Sequence, residues 1–569
     1  MSEAKRSSPR VLVIGLDGAT FDNLRPWIDE GRLPNLKRLV DGGVHGALRS
    51  TIPPVTAPAW TSFMTGKNPG KHGLYNFMEL KPGSYELRYT NARTRLAPTL
   101  WEILGESNLK VGVINVPMTY PPQKVNGYMI SGLDAPDEST AITSPPELFQ
   151  ELNAKFGQVS KQFRYMGFLK TDERRDAVLG TLAEIDDHYH KMTAYLLETQ
   201  PVDVAMVVFT STDTIQHFFY HYLDPKHPQH DAVGTSKYGN AIRDVYERMD
   251  RIIGDLTSRL DEDATVVLMS DHGFRSTSSR FVRVNHYLEK AGFLKRKRSF
   301  LSFARPLIGW IDSIVRGNLS SEQKGKLASL FPALRQKWES QYGGLGGIDW
   351  KKTKAFCNEV LIFPPSIWIN QKGVHPQGIV EPGREYEEVV ESLTKALYAL
   401  KDPVTGEQLI TRVYRKEEAY KGAQVAHAPD LTLACWEGIT FVGKQGFGDE
   451  NVVEYQGGEP LAVGDWSGAH SLEGIMTFEG PAFRNGLRLD ADIVDLVPTM
   501  LYLLGLPIPE DMDGRVLLEA FTEEFAQTHG ITTRGQGDGP QDQQRTEETY
   551  SQDESDKVAE RLRGLGYIG

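Results

Sequence analysis

The chain has 569 residues, a formal net charge of −12 and a sequence pI of about 5.7. Hydrophobic residues make up 40% and charged residues 24%, which is enough apolar material for a sizeable buried core. The acidic balance argues against a general nucleic-acid-binding protein, because such a protein presents a basic face to phosphates. A small anionic substrate held by local metal ions is still compatible with this charge.

Cysteine usage and the apolar runs narrow the class of protein further. The two cysteines, Cys357 and Cys435, lie far apart, which excludes a disulfide framework and a cysteine-rich zinc site. The apolar run at residues 11–16 is too short for a signal peptide, and no stretch reaches the length of a membrane span. We therefore expect a soluble protein in the cytoplasm.

Three apolar runs predict buried parallel strands, and each ends in an aspartate. They are "VLVIGLDG" at 11–18, "VAMVVFTSTD" at 204–213 and "ATVVLMSDHG" at 264–273. An amphipathic helix is predicted over 239–260, between the second and the third strand. This alternation predicts an α/β fold with a mainly parallel central sheet that is flanked by helices. Ligands bind such sheets at the carboxyl ends of the strands, where these aspartates fall.

The remaining segments suggest insertions and a tail. From about residue 295 the chain is first basic and then aromatic and aliphatic, which fits an inserted cap; an alternative for 295–317 is peripheral contact with a membrane. The last part of the chain is polar and poor in aliphatic residues until its final dozen residues. We predict four regions: a catalytic α/β core over 9–294 with a second candidate insertion at 121–190, a cap or lid over 295–370, the second part of the core over 371–520, and an acidic, largely disordered tail with a short docking end over 521–569.

Aspartates and histidines gather at these predicted strand ends and in glycine-rich loops. Imidazole and carboxylate groups suit zinc-like cations, and three of each are enough to hold two ions. Any one of these residues alone has a common structural explanation, such as a helix cap or a hydrogen-bonded core histidine. The six residues are Asp17, Asp213, His217, Asp271, His272 and His470.

A hydroxyl nucleophile would complete such a site. A bound divalent cation lowers the pKa of a coordinated hydroxyl, and threonine is a poor nucleophile without this activation. The uncharged run "TIPPVTAPAWTSFMTG" at 51–66 supplies four threonines and three prolines.

Six motifs, taken in order, resemble those of the alkaline phosphatase superfamily, and most closely those of its type I phosphodiesterase/nucleotide pyrophosphatase branch. The motifs are "VIGLDGATFDNL", "GRLPNLKRLVDGGVHGAL", "PPVTAPAWTSFMTGKNPGKHG", "STDTIQHFF", "SDHGF" and "GAHSLEGI". The resemblance implies an alkaline phosphatase-like fold and a hydrolase with two divalent ions, zinc being favoured and manganese the alternative. It also implies a small phosphate-ester or nucleotide-like substrate.

The resemblance further assigns residues to roles. It implies that Thr56 is the nucleophile and forms a phospho-threonine intermediate. One ion would be held by Asp213, His217 and His470. The other would be held by Asp17, Asp271, His272 and the oxygen of Thr56.

The sequence departs from the branch at two places near the nucleophile. The Asn-His pair that usually follows the nucleophile is replaced by Ala59 and Trp60. The asparagine expected to donate to phosphoryl oxygens is Asn76, one residue before its expected position, which Phe77 occupies. The residues predicted to contact the substrate are Trp60, Lys67, Phe77 and Arg275.

Three functions are therefore open on the sequence. The first is a two-metal phosphodiesterase or pyrophosphatase. The second is a phosphomonoesterase or phosphomutase of the same superfamily, which needs additional basic side chains around a dianionic phosphate. The third is a non-catalytic metal-binding protein on this fold.

Overall fold

A computed structural model describes most of the chain. The described residues are 8–137, 141–164, 169, 171–278, 280–297, 345, 347–358, 365–434, 440–441, 451–455, 466–535 and 549–565. Most of the predicted cap, including the greater part of the predicted membrane-contacting segment at 295–317, lies outside these residues.

The strands are numbered in chain order. They are β1 Val11–Leu16, β2 Val44–Arg49, β3 Met78–Leu80, β4 Leu87–Tyr89, β5 Val111–Val116, β6 Gly127–Ser131, β7 Thr143–Ser144, β8 Val204–Phe209, β9 Thr265–Met269, β10 Gly273–Ser276, β11 Arg280–Val282, β12 Ala355–Cys357, β13 Ser366–Ile369, β14 Val413–Arg415, β15 Leu431–Leu433, β16 Thr440–Phe441, β17 Val453–Tyr455, β18 Gly468–Ser471, β19 Glu473–Glu479, β20 Leu487–Arg488, β21 Ala491–Asp492, β22 Ile508–Pro509 and β23 Thr533–Arg534.

The α-helices are numbered in the same way. They are α1 Phe21–Asp29, α2 Pro34–Gly42, α3 Thr56–Thr65, α4 Pro69–His72, α5 Leu100–Glu106, α6 Glu147–Phe156, α7 Asp172–Thr199, α8 Ser211–Leu223, α9 Ala232–Tyr238, α10 Ala241–Thr257, α11 Val284–Lys290, α12 Arg384–Ala399, α13 Lys416–Ala419, α14 Leu496–Leu503, α15 Glu523–Thr528 and α16 Gln552–Gly564.

The central sheet is mixed but mostly parallel. Its strands follow the order β20-β2-β19-β9-β1-β8-β5-β6-β7, with β21 also paired to β2. The antiparallel pairs in this sheet are those of β19 with β2 and β9, and that of β6 with β7. The predicted α/β class is confirmed, as are the three predicted strands, which form its adjacent members β9, β1 and β8.

These three strands are apolar along their whole length because both faces of the sheet are covered. Every residue of β1, β8 and β9 is buried. The predicted helix over 239–260 is α10, which contacts α2, α7 and α8. Its buried positions recur with helical spacing, so one face lies against its neighbours while the other meets water.

A smaller antiparallel sheet lies outside the central one. Its strand order is β12-β13-β15-β14, and it has a hydrophobic cluster of its own that includes α12 residues such as Leu393. We predicted 371–520 as the second part of the core. Within this range β14 and β15 belong to the smaller sheet, and the central sheet resumes with β19; the predicted domain bounds remain a prediction. Short antiparallel strands carry a weak periodic signal, so the sequence did not separate them from the core.

The described parts of the C-terminal region fold against the rest of the chain. We predicted a largely disordered tail over 521–569, yet α15 and α16 are helical there, while 536–548 lies outside the described residues. The Arg561 guanidinium is buried and donates to the backbone carbonyls of Leu133, Ala135 and Pro136. Tyr550 stacks on Tyr120, with ring centroids 5.7 Å apart. The docking end therefore binds its own chain.

No helix in the described part of the chain combines the length and apolarity needed to cross a membrane.

Candidate metal centre and nucleophile

The predicted ligands meet at the carboxyl edge of the central sheet. Because β9, β1 and β8 are parallel neighbours, the loops that follow them lie side by side. Asp17 follows β1, and Asp271 and His272 follow β9. Asp213 and His217 lie on the first turns of α8, directly after β8. His470 comes from β18, which pairs with β10 and places His470 opposite Phe274.

One buried cluster contains Asp213, His217 and His470. The Oδ1 atom of Asp213 lies 3.3 Å from Nε2 of His217 and 3.3 Å from Nε2 of His470. The two Nε2 atoms are 3.1 Å apart. Asp213 and His217 share a face because they are four residues apart in a helix. These three side chains have the composition of a three-ligand cation site.

A second buried cluster contains Asp17, Asp213 and His272. Nε2 of His272 lies 3.6 Å from Oδ1 of Asp17 and 3.3 Å from Oδ2 of Asp271. Asp213 therefore belongs to both clusters, and the two candidate cation positions are neighbours.

The three imidazoles are oriented by backbone carbonyls. His217 Nδ1 lies 3.0 Å from the carbonyl oxygen of Gly468. His272 Nδ1 lies 3.2 Å from that of Gly273, and His470 Nδ1 lies 2.9 Å from that of Pro54. A carbonyl can only accept, so each Nδ1 carries the proton and donates it. In a neutral ring this leaves the Nε2 lone pair for a cation, an orientation that is typical of metal-binding histidines.

The carboxylates are buried close to one another, which is electrostatically unfavourable unless a cation lies among them. Burial, together with the charges of Asp271 and Asp213, raises the pKa of Asp17 well above its usual value. Burial and the charge of Asp213 raise the pKa of Asp271 to about 8. Among the described residues, Asp17 Oδ1 and Asp271 Oδ2 have no hydrogen-bond donor. Buried like charges repel strongly unless a cation lies among them, so this donor set fits divalent ions.

The remaining ligands suit the same conclusion. Burial lowers the pKa of His272 well below its usual value and also lowers the pKa of His470, so both rings are neutral near pH 7. Burial opposes ionisation of Asp213, but the neighbouring His217 and His470 outweigh it and hold the pKa of Asp213 well below its usual range. Neutral imidazole and ionised carboxylate are the forms that bind metal.

Thr56 lies directly beside this centre. It is fully buried as the first residue of α3, and its Oγ1 is 3.3 Å from Nε2 of His272. The preceding residue, Val55, makes no side-chain cap to the helix. The first-turn amides of a helix have no partner within it, and the helix dipole favours negative charge at this end. A charged oxygen at Thr56 would therefore be stabilised by the helix itself.

Comparison with known proteins places the chain in a family. A family model described as type I phosphodiesterase/nucleotide pyrophosphatase matches residues 11–458, which is most of the chain. The chain belongs to this family. It is therefore a hydrolase of the alkaline phosphatase superfamily, as the sequence motifs implied.

Solved structures of low sequence identity accompany this match. The chain is 14% identical to human ectonucleotide pyrophosphatase/phosphodiesterase 5, covering 90% of this chain and 98% of that one, with a TM-score of 0.48. It is 14% identical to an inactive murine form of the same protein in complex with AMP, with 88% and 95% covered and a TM-score of 0.47. It is 15% identical to phosphonoacetate hydrolase from Sinorhizobium meliloti in complex with phosphonoacetate, with 87% and 95% covered and a TM-score of 0.49. No curated protein matches the sequence in a direct search.

The predicted ligands are thus together in space, and the structure also shows the surroundings of Trp60, a predicted substrate contact. Its side chain is fully buried, and its indole Nε1 donates to Oδ2 of Asp17 at 3.2 Å. Trp60 lies close to Thr56 along the chain, and α3 turns its side chain into the core. Its contact with the substrate remains a prediction.

Two other predicted substrate contacts are also buried. Phe77 is part of the main hydrophobic core. Lys67 forms an ion pair with Asp511, and only 6% of its side chain is exposed. The neighbouring Lys71 pairs with Asp513 at 2.6 Å. Asp511 and Asp513 lie more than 400 positions after these lysines in the sequence, so the pairings could not be predicted.

The last two predicted site residues, Asn76 and Arg275, differ in their exposure to solvent. Asn76 is buried, and its Oδ1 accepts from the backbone N–H of Phe77 at 2.8 Å. Its predicted role as a donor to the phosphoryl group remains a prediction. Arg275 is partly exposed on β10, opposite Ala469 and next to the strand position of His470. Its Nη1 donates to the Ser276 carbonyl at 2.9 Å.

Sequence reasoning missed two residues that support the centre from α8. The Thr212 hydroxyl donates to the backbone oxygen of Asp17 at 2.6 Å, and Gln216 Nε2 donates to the Gly18 oxygen at 2.9 Å. Both lie in "STDTIQHFF" at positions four apart, which is the signal that could have revealed them. They tie the helix that carries Asp213 to the loop that carries Asp17.

Proposed function

We propose that the protein cleaves phosphodiester or pyrophosphate bonds through a phospho-threonine intermediate on Thr56, with two divalent cations bound by the two clusters. The observation that carries this proposal is the position of Thr56 Oγ1, 3.3 Å from Nε2 of His272 at the start of α3. We further propose zinc as the metal, with manganese as the alternative, because the donors are imidazoles and carboxylates.

The two ions would be divided as the family pattern implies. Asp213, His217 and His470 would hold one, and Asp17, Asp271 and His272 the other, with the Thr56 oxygen beside it. When bound, such ions supply Lewis-acid chemistry: they neutralise phosphoryl charge and lower the pKa of a nearby hydroxyl.

The protein's own part in the reaction follows from Thr56. Its Oγ1 forms a bond to phosphorus while the bond from phosphorus to the leaving oxygen breaks. The hydroxyl proton passes to solvent and the leaving oxygen takes up a proton from water, while the N-terminus of α3 stabilises the negative charge on Oγ1 during the transfer. Water then attacks the phospho-threonine from the opposite side, which releases the phosphate product and restores the Thr56 hydroxyl.

The pairing of the nearby lysines favours a diester over a monoester substrate. A phosphomonoesterase or phosphomutase needs extra positive charge for a dianionic phosphate. Lys67 and Lys71 form ion pairs with Asp511 and Asp513, so the positive charge of each lysine is already compensated. A phosphodiester carries one negative charge at the reacting group and needs less compensation.

The test compares bis-p-nitrophenyl phosphate with p-nitrophenyl phosphate on the metal-loaded wild type, Thr56→Ala and Thr56→Ser. We expect the diester to be the better substrate and Thr56→Ala to lose about 10³-fold or more in kcat while it still binds both metals. Thr56→Ser keeps a hydroxyl and should retain measurable turnover. Full activity in Thr56→Ala would contradict the nucleophile assignment. A strong preference for the monoester would favour the second function, and metal binding without turnover of either substrate would favour the non-catalytic one.

A further inference from the structure

Trp60 connects the nucleophile helix to a predicted metal ligand. It lies four residues after Thr56 in α3, so both side chains project from the same face of the helix. Thr56 reaches His272, while the Trp60 indole N–H reaches Asp17. One helix therefore contacts two members of the second metal cluster, which contains Asp17, Asp213 and His272.

The indole contact acts on the carboxylate of Asp17 and not on its backbone. The Asp17 N–H donates to the Phe209 oxygen at 3.0 Å, and the Asp17 carbonyl accepts from Thr212. The backbone is thus held without Trp60. An indole nitrogen can only donate, so the bond to Oδ2 fixes the rotation of the carboxylate. This leaves Oδ1 directed at His272 Nε2, 3.6 Å away.

The absence of a side chain at Gly15 leaves space for the Trp60 ring. A Cβ atom added to Gly15 would lie 2.5 Å from Cη2 of Trp60 and 2.9 Å from Cγ2 of Val208, closer than side-chain atoms approach one another. Gly15 is the fifth residue of the buried strand β1, two residues before Asp17. Glycine within a strand commonly marks the close approach of another group, and here that group is the Trp60 ring.

We propose that Trp60 is a positioning residue for the second metal site. Its indole N–H holds the Asp17 carboxylate in the orientation that presents Oδ1 to the cation, and α3 keeps this site in register with Thr56. This inference rests on the proposed function, because it requires that Asp17 binds metal. Contacts of this kind orient ligands, and their loss commonly lowers metal affinity 10–100-fold.

The test measures the binding of metal to protein that has been stripped with a chelator. Titration calorimetry gives the affinities, and direct analysis of bound metal gives the number of ions. Trp60→Phe removes the N–H and keeps an aromatic ring. We expect one of the two binding events to weaken by about 10–100-fold and the other, at Asp213, His217 and His470, to stay unchanged. Turnover should be lost at limiting metal and recover as the metal concentration is raised, with little change in KM.

Trp101→Phe is the matched control. Trp101 is as deeply buried in the same core, and its indole Nε1 donates to Gln123 at 2.8 Å, not to a metal ligand. This variant should lose stability and still bind both ions with wild-type affinity. Equal metal affinities in Trp60→Phe and the wild type, or equal losses in the two tryptophan variants, would overturn the inference.

Two further measurements separate the possible failures. If Trp60→Phe does not fold, benzothienylalanine at position 60, which replaces the indole N–H with sulfur at nearly constant shape, is expected to give the same selective loss, and wild-type affinity there would overturn the inference. If the wild type binds two ions and the Trp60 variant binds them with the same affinities, this inference is refuted and the proposed function is not. A wild type that binds no metal refutes the proposed function as well.

Discussion

Three buried carboxylates determine the chemistry of this site at the scale of single residues. Asp17, Asp213 and Asp271 lie within a few ångströms of His272 or of one another, and all are buried. Burying like charges together is unfavourable without a cation, so the metal-free protein keeps protons on some of them. The raised pKa values of Asp17 and Asp271 express this cost.

A dependence of stability on pH follows for the metal-free protein. Burial and the charge of Asp213 raise the pKa of Asp271 to about 8, from a usual value of 3.8. Between these values the folded protein holds a proton on Asp271 that the unfolded chain has lost, so the contribution of Asp271 to stability falls as the pH rises toward 8. Buried histidines with lowered pKa values, His272 and His470 among them, make stability rise with pH near the usual histidine pKa, so the contribution of Asp271 has to be isolated by comparison with a variant. We expect the melting temperature of the metal-free wild type to fall relative to that of metal-free Asp271→Asn as the pH rises from about 6 to about 8.

Asp271→Asn is the control for this dependence. Asparagine cannot ionise, so the metal-free variant should lack the loss of stability that the ionisation of Asp271 causes over this range. The range begins at pH 6 because burial raises the pKa values of Asp134 and Asp186 to about 6, and these groups contribute below it. Parallel curves of melting temperature against pH for the metal-free wild type and metal-free Asp271→Asn would contradict the explanation.

At the scale of elements, α3 and the loop after it form the support for the nucleophile. All ten residues of α3 are buried, and Gly66 ends the helix in the left-handed conformation that glycine adopts without strain. Ion pairs of Lys67 with Asp511 and of Lys71 with Asp513 then hold the loop against the C-terminal part of the core. These lysines therefore stabilise the frame around Thr56.

Lys67→Met tests this role against the substrate contact that the sequence suggested. The ion pair between Lys67 and Asp511 would be lost in a mostly buried position, where 25% of the Asp511 side chain is exposed. We expect the free energy of unfolding in urea to fall by about 1–3 kcal/mol, which is less than for a fully buried pair. KM for the diester should stay within about two-fold of wild type, because a lysine that does not contact the substrate contributes nothing to substrate binding.

The exposed pair of Lys81 with Glu86 provides the comparison. Their side chains are 46% and 74% exposed, so Lys81→Met should change the free energy of unfolding by less than about 1 kcal/mol. A rise in the KM of Lys67→Met without loss of stability would instead support direct contact with the substrate.

At the scale of the whole molecule, the site is assembled from residues 17 to 470. The strand order brings β9, β1 and β8 together, and the pairing of β10 with β18 adds His470 from the distant C-terminal part. The sequence allowed the prediction of this assembly because parallel strands place their carboxyl ends at one edge. Asp17, Asp213 and Asp271 each follow an unambiguous apolar run.

Other features depended on contacts between distant segments and could not be predicted. The burial of Trp60 follows from the direction in which α3 enters the core, and a motif alone does not define this direction. The pairing of Lys67 with Asp511 joins residues more than 400 positions apart. A short docking end was predicted, but not the surface that it contacts, because the Arg561 guanidinium donates to the carbonyl of Leu133, more than 400 positions away.

The central claim is that phosphorus is transferred first to Thr56 and then to water. The stereochemical course at phosphorus tests it most directly, with a chiral phosphorothioate diester as substrate and isotopically labelled water as acceptor. Two in-line displacements each invert the configuration, so the proposed mechanism predicts overall retention. Inversion would show that water attacks the substrate in one step and would contradict a phospho-threonine intermediate.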